Sequence, residues 1–392
     1  MVHTLLQMDT FHSENQQPRQ AVVTDAVLVT ALGGDIDTLW RRLMQKGTAI
    51  GPISRFPVDQ EHYTAGIAAI IDDLKPSRDH SLIKSLLDRL MVQMGPVPSD
   101  ATLITATLKA GIDNLEAVCR GNPSGFQDIP LSSLAEHISP QIGLKSNGLC
   151  ISASCASSTI AVAQGAALIE SGQAEAVLVC CAEIVSEYAF AGFSSLKALA
   201  PAPCQPFDRG RRGLSLGEGA AALLLMPAAR AGREGRDRLG TICGWGITND
   251  AAHITAPAKG GHGLAQAIDK ALKSAEKKPE EITAICAHGT GTIYNDRMEL
   301  DAFKHILGPR KRPIFSVKGA IGHTLGAAGG IEIILGLKAL ATLTIPPTIG
   351  FTHPEKGAEG QVSAETQAIA NGCLLTTNSG FGGVNAAIIL GP

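Results

Sequence analysis

The sequence predicts an α/β protein of two halves with like topology, its sheets largely parallel and covered by helices on both faces. Three observations carry this reading. Strand-like and helix-like segments alternate along most of the chain. The segment CASSTIAVAQGAALIESG, from Cys155 to Gly172, is small or apolar on every face, as suits a helix buried between layers. The strand, loop and apolar-helix pattern that begins at Gly148 returns around Pro313. The halves meet near residue 240, giving a leader over residues 1–20, an N-terminal half over 21–240 and a C-terminal half over 241–392.

Residues 1–20 are polar and aperiodic, the mark of a loose leader. AVVTDAVLVTALGG, from Ala21, reads as a buried strand closed by a glycine turn, and Asp35 caps a helix that runs to Lys46. Between residues 75 and 145, SLIKSLLDRLMVQM is helical and ATLITAT strand-like; the remainder is mixed. GLCISAS is a strand leading into the small-residue helix, and AEAVLVCCAE is the next strand. AEAVLVCCAE has its counterpart in EEITAIC of the second half. PIFSV is then a strand, KGAIGHTLGAAGG a glycine-rich loop opening a helix, IEIILGLKALA that helix, and AAIIL a last strand.

Composition removes several function classes. With 45% hydrophobic and 18% charged residues, the 392-residue chain can bury a sizeable core. Thirty-three basic against 36 acidic residues, net −3, disfavour nucleic acid as main partner. The nine cysteines form no CxxC pair, which argues against a disulfide framework, structural zinc or a redox couple. Asp9 and Glu14 interrupt the N-terminus, so no secretory signal is expected, and no run of 18 apolar residues suggests a membrane span. The expectation is a reduced, cytoplasmic protein. GxxxxGK[ST] and HExxH are missing, and GFGGVN lacks the third glycine of a dinucleotide loop.

Chemistry concentrates in five residues. Cys155 lies where a strand runs into a buried helix, whose first-turn amides favour a thiolate; small neighbours leave room for an acyl group. The other eight cysteines read as small buried apolar residues. His288, in AHGTGT, follows a strand, and His323, in SVKGAIGHTLGAAGG, lies in the loop beyond another. Equivalent positions in two similar halves suggest that both histidines face one crevice. Glu332 is a carboxylate inside an apolar helix and needs a partner; Lys318 is the obvious one.

These residues carry a resemblance. SASCASS, QPFDRGRRGLSLGEGAA, HGTGTIYNDRMEL, SVKGAIGHTLGAAGGIE and NSGFGGVNA, in that order, resemble the elongating β-ketoacyl-acyl-carrier-protein synthases, the ketosynthases of fatty acid and polyketide assembly. The resemblance runs from about Ala21 to the C-terminus. It implies a thiolase-like fold of five layers, αβαβα, and decarboxylative Claisen condensation of an acyl thioester with malonyl carrier protein. It implies Cys155 as nucleophile, with its own N–H and that of Phe381 as oxyanion hole. His288 and His323 would hold the malonyl carbonyl, Lys318 and Glu332 would form a supporting ion pair, and Thr290 and Thr292 would bind phosphopantetheine. No metal and no bound cofactor is implied. The implied partner is an acidic acyl-carrier protein, for which Arg209 and Arg212 are docking candidates, Arg211 being a candidate internal residue. A homodimer is implied, or a heterodimer with a chain-length factor.

The turn Asn378–Asn385 is one residue shorter than the family's and lacks its first Phe, which points to a specialised acyl range. Two alternatives stand beside this reading. A thiolase-like CoA acyltransferase would use a second cysteine in place of the paired histidines, and a non-catalytic chain-length factor would lack Cys155.

Overall fold

A computed structural model describes residues 19–392 apart from 60, 76–79, 123–124 and 145–147. The leader expected over residues 1–20 lies outside them, Arg19 and Gln20 excepted. Ten strands form the main sheet: β1 (Ala21–Thr30), β2 (Thr102–Ala106), β3 (Leu149–Ile151), β4 (Val177–Glu183), β5 (Gly219–Pro227), β6 (Gly240–Asn249), β7 (Ile282–Cys286), β8 (Ile314–Phe315), β9 (Cys373–Gly380) and β10 (Val384–Gly391). Their spatial order is β3-β2-β4-β5-β1-β6-β10-β9-β7-β8. Within each group of five the order is therefore third, second, fourth, fifth, first. The two groups meet through their first strands, antiparallel, at Val22–Thr241 and Val23–Gly240.

This repeat corrects two expectations. Within the main sheet, among the described residues, parallel pairing is confined to β2 with β3 and β4, and to β7 with β8 and β9. Those strands are joined through helical crossovers, which return the chain in the same direction. β9 and β10 are joined by a tight turn and run antiparallel, as do β5 with β4 and β1. AEAVLVCCAE and EEITAIC are also not counterparts, since β4 is a fourth strand and β7 a second one. The strands that correspond are β3 and β8.

Seven helices place the layers: α1 (Ile36–Met44), α2 (Leu82–Met91), α3 (Ser133–Gln141), α4 (Ser157–Glu170), α5 (His262–Ser274), α6 (Ile293–Leu307) and α7 (Ala328–Thr342). Asp35 caps α1 as its sequence predicts, accepting from Thr38 N at 2.7 Å. Alternate strand residues enter different cores, as a pleated strand buried on both faces requires. Val22, Leu178 and Leu224 pack outward with Leu86 and Leu90 of α2. Val23, Val179 and Leu223 face inward, into one core with Val162 of α4, Ile331 of α7 and Leu374 and Ile388 of the second half. Leu375 and Ile389 pack on Ile268 of α5 and Phe303 of α6. The result is the expected five layers, with α4 and α7 in the middle. The stretch Leu325–Thr342 has the length and mean hydropathy (1.5) of a membrane span, but 83% of it is buried in this middle layer.

α4 and α7 approach through small residues. Gly330 N donates to Ser158 Oγ at 2.9 Å. A Cβ on Gly329 would lie 1.9 Å from Thr159 Oγ1 and 2.8 Å from Asn378 Oδ1. Gly329→Ala is expected to cost about 1–3 kcal/mol by overpacking, measured as a lower urea midpoint at unchanged m-value. An unchanged midpoint would mean that the helices can separate freely.

Candidate functional site

The connection from β3 to α4 carries Cys155. Ser154, just before it, takes a left-handed conformation (φ 50°), an unfavourable turn for a residue with a side chain. Hydrogen bonds hold it there: Ala153 N donates to Ser157 Oγ at 2.8 Å, Ser157 Oγ to Ser154 O at 2.6 Å, and Ser154 Oγ to Phe381 O at 2.8 Å. Cys155 is buried, 6% exposed.

The equivalent connection of the second half, from β8 to α7, carries His323. Its backbone N donates to Ser215 O at 2.7 Å, and Gly217 N donates to His323 O at 3.0 Å. The LSLG run thus clamps the histidine loop, and Gly217 has no room for a side chain, since its Cβ would meet Ile321 O at 2.0 Å. His323 Nε2 lies 3.0 Å from Cys155 Sγ. The positional equivalent of His323 is therefore Cys155. His288 is not a counterpart in the other half: it follows β7 and belongs to the second half too. The His288 and His323 rings stand edge to face with centroids 5.1 Å apart.

His288 is fixed from behind. Its backbone N and that of Gly289 each donate to Glu299 of α6 at 2.7 Å, while Lys318 Nζ donates to its carbonyl at 2.5 Å. Lys318 and Glu332, both buried, form the expected ion pair. Asn378 Nδ2 contacts Glu332 Oε2 at 2.8 Å and His288 Nδ1 at 3.1 Å. Asn378 and Glu299 escaped the sequence reading. Glu299 had a signal, a carboxylate on the buried face of a helix just after the histidine; Asn378 stood in view beside Phe381, with nothing in the sequence to single it out.

Cys155, His288, His323, Thr290, Thr292, Phe381 and Arg212 all line one cavity of about 320 Å³. Thr290 and Thr292 hydroxyls lie 2.9 Å apart, and Phe193 packs on Phe381 with ring centroids 5.6 Å apart. A Cβ on Gly380 would come within 3.0 Å of Cys155 N, so the Phe381 turn runs directly against the cysteine amide. Lys318 and Glu332 lie behind the cavity wall. Arg209 is exposed in the same loop as Arg212 but outside the cavity. Arg211 is buried, donating to Thr292 O, Ile293 O and Glu355, so it is the internal residue that the sequence allowed for.

Burial dominates the electrostatics. It pushes the Cys155 thiol up to about 12, against the lowering effect of Lys318. The thiolate expected from the helix end is thus overruled by desolvation, and the proton must pass to an adjacent base. Burial, reinforced by Lys318, holds both His288 and His323 well below the usual imidazole range, so both are neutral at pH 7. Burial and the neighbouring Asp296 raise Glu299 to about 8.

The histidines give a pH signature. Below pH ~6.5 the unfolded chain binds protons that the folded histidines refuse, so stability falls as pH falls, by up to about 1.4 kcal/mol per pH unit for each. Glu299, raised on folding, has the opposite slope above its unfolded value, so the informative quantity is a difference. Urea unfolding of wild type minus His323→Asn should show that slope between about pH 5 and 6.5; parallel curves would place His323 in contact with solvent.

Comparison with known proteins gives a consistent picture. The models "Beta-ketoacyl synthase, N-terminal domain" and "Beta-ketoacyl synthase, C-terminal domain" match residues 110–231 and 239–352. The chain is similar to 3-oxoacyl-[acyl-carrier-protein] synthase 2 of Synechocystis sp., 29% identical over 95% of this chain and 98% of that protein. The protein of the same name from Vibrio harveyi is 26% identical over 95% and 98%. Among solved structures, the ishigamide ketosynthase/chain length factor aligns with a TM-score of 0.87 and 28% identity over 96% of this chain and 99% of that one. A ketosynthase in complex with its chain length factor from Xenorhabdus doucetiae aligns at 0.81 and 25%, over 96% and 99%.

Proposed function

The chain belongs to the beta-ketoacyl synthase family, and we propose that it catalyses decarboxylative Claisen condensation of an acyl thioester with a malonyl carrier-protein thioester. The observation that carries this reading is the 3.0 Å approach of His323 Nε2 to Cys155 Sγ, in a cavity that His288 also lines. The Cys155 proton passes to His323, and the thiolate attacks the acyl thioester. The oxyanion is held by the Cys155 and Phe381 amides, and the carrier thiol leaves with the proton. Malonyl carrier protein then enters past Thr290 and Thr292, which hold the pantetheine arm. Loss of carbon dioxide leaves an enolate that His288 and His323 stabilise. Its carbon attacks the acyl-Cys155 carbonyl, and Cys155 is released to take up a proton. Every step uses side chains and amides of the chain itself, with no bound cofactor. Mass spectrometry tests the reading: incubation with acyl carrier protein should acylate Cys155, and malonyl carrier protein should then release it as a β-ketoacyl product. A Cys155 that stays unmodified across acyl chain lengths refutes it.

A second reading concerns assembly. Similarity to ketosynthases solved with chain length factors supports a heterodimer in which this chain, having Cys155, is the active subunit. Leu149, 50% exposed on edge strand β3, offers an unpaired strand edge to such a partner or to a second copy.

The carrier protein docks on the exposed arginines of the Arg209–Arg212 loop. Charge reversal at both should raise KM for carrier protein several-fold at low salt and leave kcat unchanged, the difference vanishing at high ionic strength. A KM indifferent to salt and to both substitutions would move docking elsewhere.

A further inference from the structure

Asn378, fully buried on β9, touches Glu332, Thr159 and His288, and the hydrogen-bonding role of the first is fixed by chemistry. Glu332, paired with Lys318, is a carboxylate and can only accept, so the amide must turn its nitrogen toward Glu332 Oε2, 2.8 Å away. The amide oxygen then accepts from the Thr159 hydroxyl. One N–H remains, and it points at His288 Nδ1, 3.1 Å away. A nitrogen that receives a hydrogen bond carries no proton. We infer that Asn378 sets the tautomer of His288, holding its proton on Nε2 as a hydrogen-bond donor to the cavity, and thereby denies a metal ion the third ligand of the Cys155–His288–His323 cluster.

The second half of this inference has its own observation. The three side chains offer ligand atoms all within 4.8 Å of one another, a thiol and two imidazoles of the kind that zinc prefers. A metal-bound histidine presents a lone pair to the ion and donates its other N–H to a carboxylate or carbonyl. His288 is wired in the opposite sense: its outer nitrogen receives, and its inner one has a proton where the ion would need a lone pair. The Lys318 ammonium, on the His288 carbonyl, adds repulsion to any cation. Asn378 is thus a positioning residue, acting on the reaction through His288 and on cations through the same hydrogen bond.

The consequence for turnover rests on the proposed condensation, but the tautomer does not. In protein labelled with 15N in the histidine rings, His288, assigned by its loss in His288→Ala, should show an unprotonated Nδ1 and a protonated Nε2. Asn378→Asp replaces the donor by an acceptor, draws the proton to Nδ1 and frees Nε2. That variant should bind Zn2+ at least about tenfold more tightly than wild type, the scale of effect that an outer-shell carboxylate has on zinc sites. It should also lose malonyl decarboxylation more than acylation of Cys155. A protonated Nδ1 in wild type overturns the inference, as does wild-type Zn2+ affinity equal to that of the variant. Should Asn378→Asp not fold, the wild-type spectrum decides alone. The stated tautomer in a protein that condenses nothing would sink the proposed function and leave this inference standing.

Discussion

Cys155→Ala is expected to remove acyl transfer to the protein and condensation together, while decarboxylation of malonyl carrier protein continues. Among the residues that line the cavity, Cys155 is the one thiol, so no second thiol is there to take the acyl group. Loss of a nucleophile of this kind costs on the order of 10⁴–10⁶-fold. Decarboxylation survives because His288, His323 and the Lys318–Glu332–Asn378 support are untouched by the substitution. Paired assays, labelled acyl transfer and carbon dioxide release, separate the two. Acyl label on the variant, at any other residue, would end the assignment of the nucleophile.

His288→Ala and His323→Ala divide the reaction differently. His323 touches the sulfur and is the base available to a thiol whose burial keeps it protonated, so its loss slows both acylation and decarboxylation. His288 stands one ring further away, so its loss spares acylation and slows decarboxylation by roughly 100–1000-fold, the usual cost of one donor at a developing oxyanion. Single-turnover acylation and carbon dioxide release measured on each variant check the division. Equal loss of both half-reactions in His288→Ala refutes it.

The candidate site was legible where its chemistry is local. A cysteine before a helix of small residues and two histidines beyond strands are patterns in contiguous sequence, and the ion pair of Lys318 with Glu332 follows from one buried charge needing another. Strand direction was less legible. GAAALLLMP and GTICGWGITN, which became β5 and β6, lack the alternation that separates a strand from a buried helix, and their antiparallel pairing is decided by partners across the chain. The two halves were sensed correctly but matched wrongly, because β4 and β7 share an apolar composition that reflects burial rather than position in the sheet. Asn378 was hidden for a different reason. Its role exists only when β9 brings it between Glu332 and His288, residues 46 and 90 positions away.

The equivalence of the β3–α4 and β8–α7 connections has a mechanical meaning. The sulfur stands on one half and the imidazole that serves it on the other, so the gap between them is set by how closely two helices approach through glycine and serine. The middle layer behaves as a caliper whose jaws are Cys155 and His323. Any swelling of that contact, by a larger residue or by solvent, opens the jaws by the same increment and breaks proton transfer well before the sheets come apart. Heat and denaturant should therefore silence acylation ahead of global unfolding, and neither half can be exchanged for a foreign one without resetting that gap.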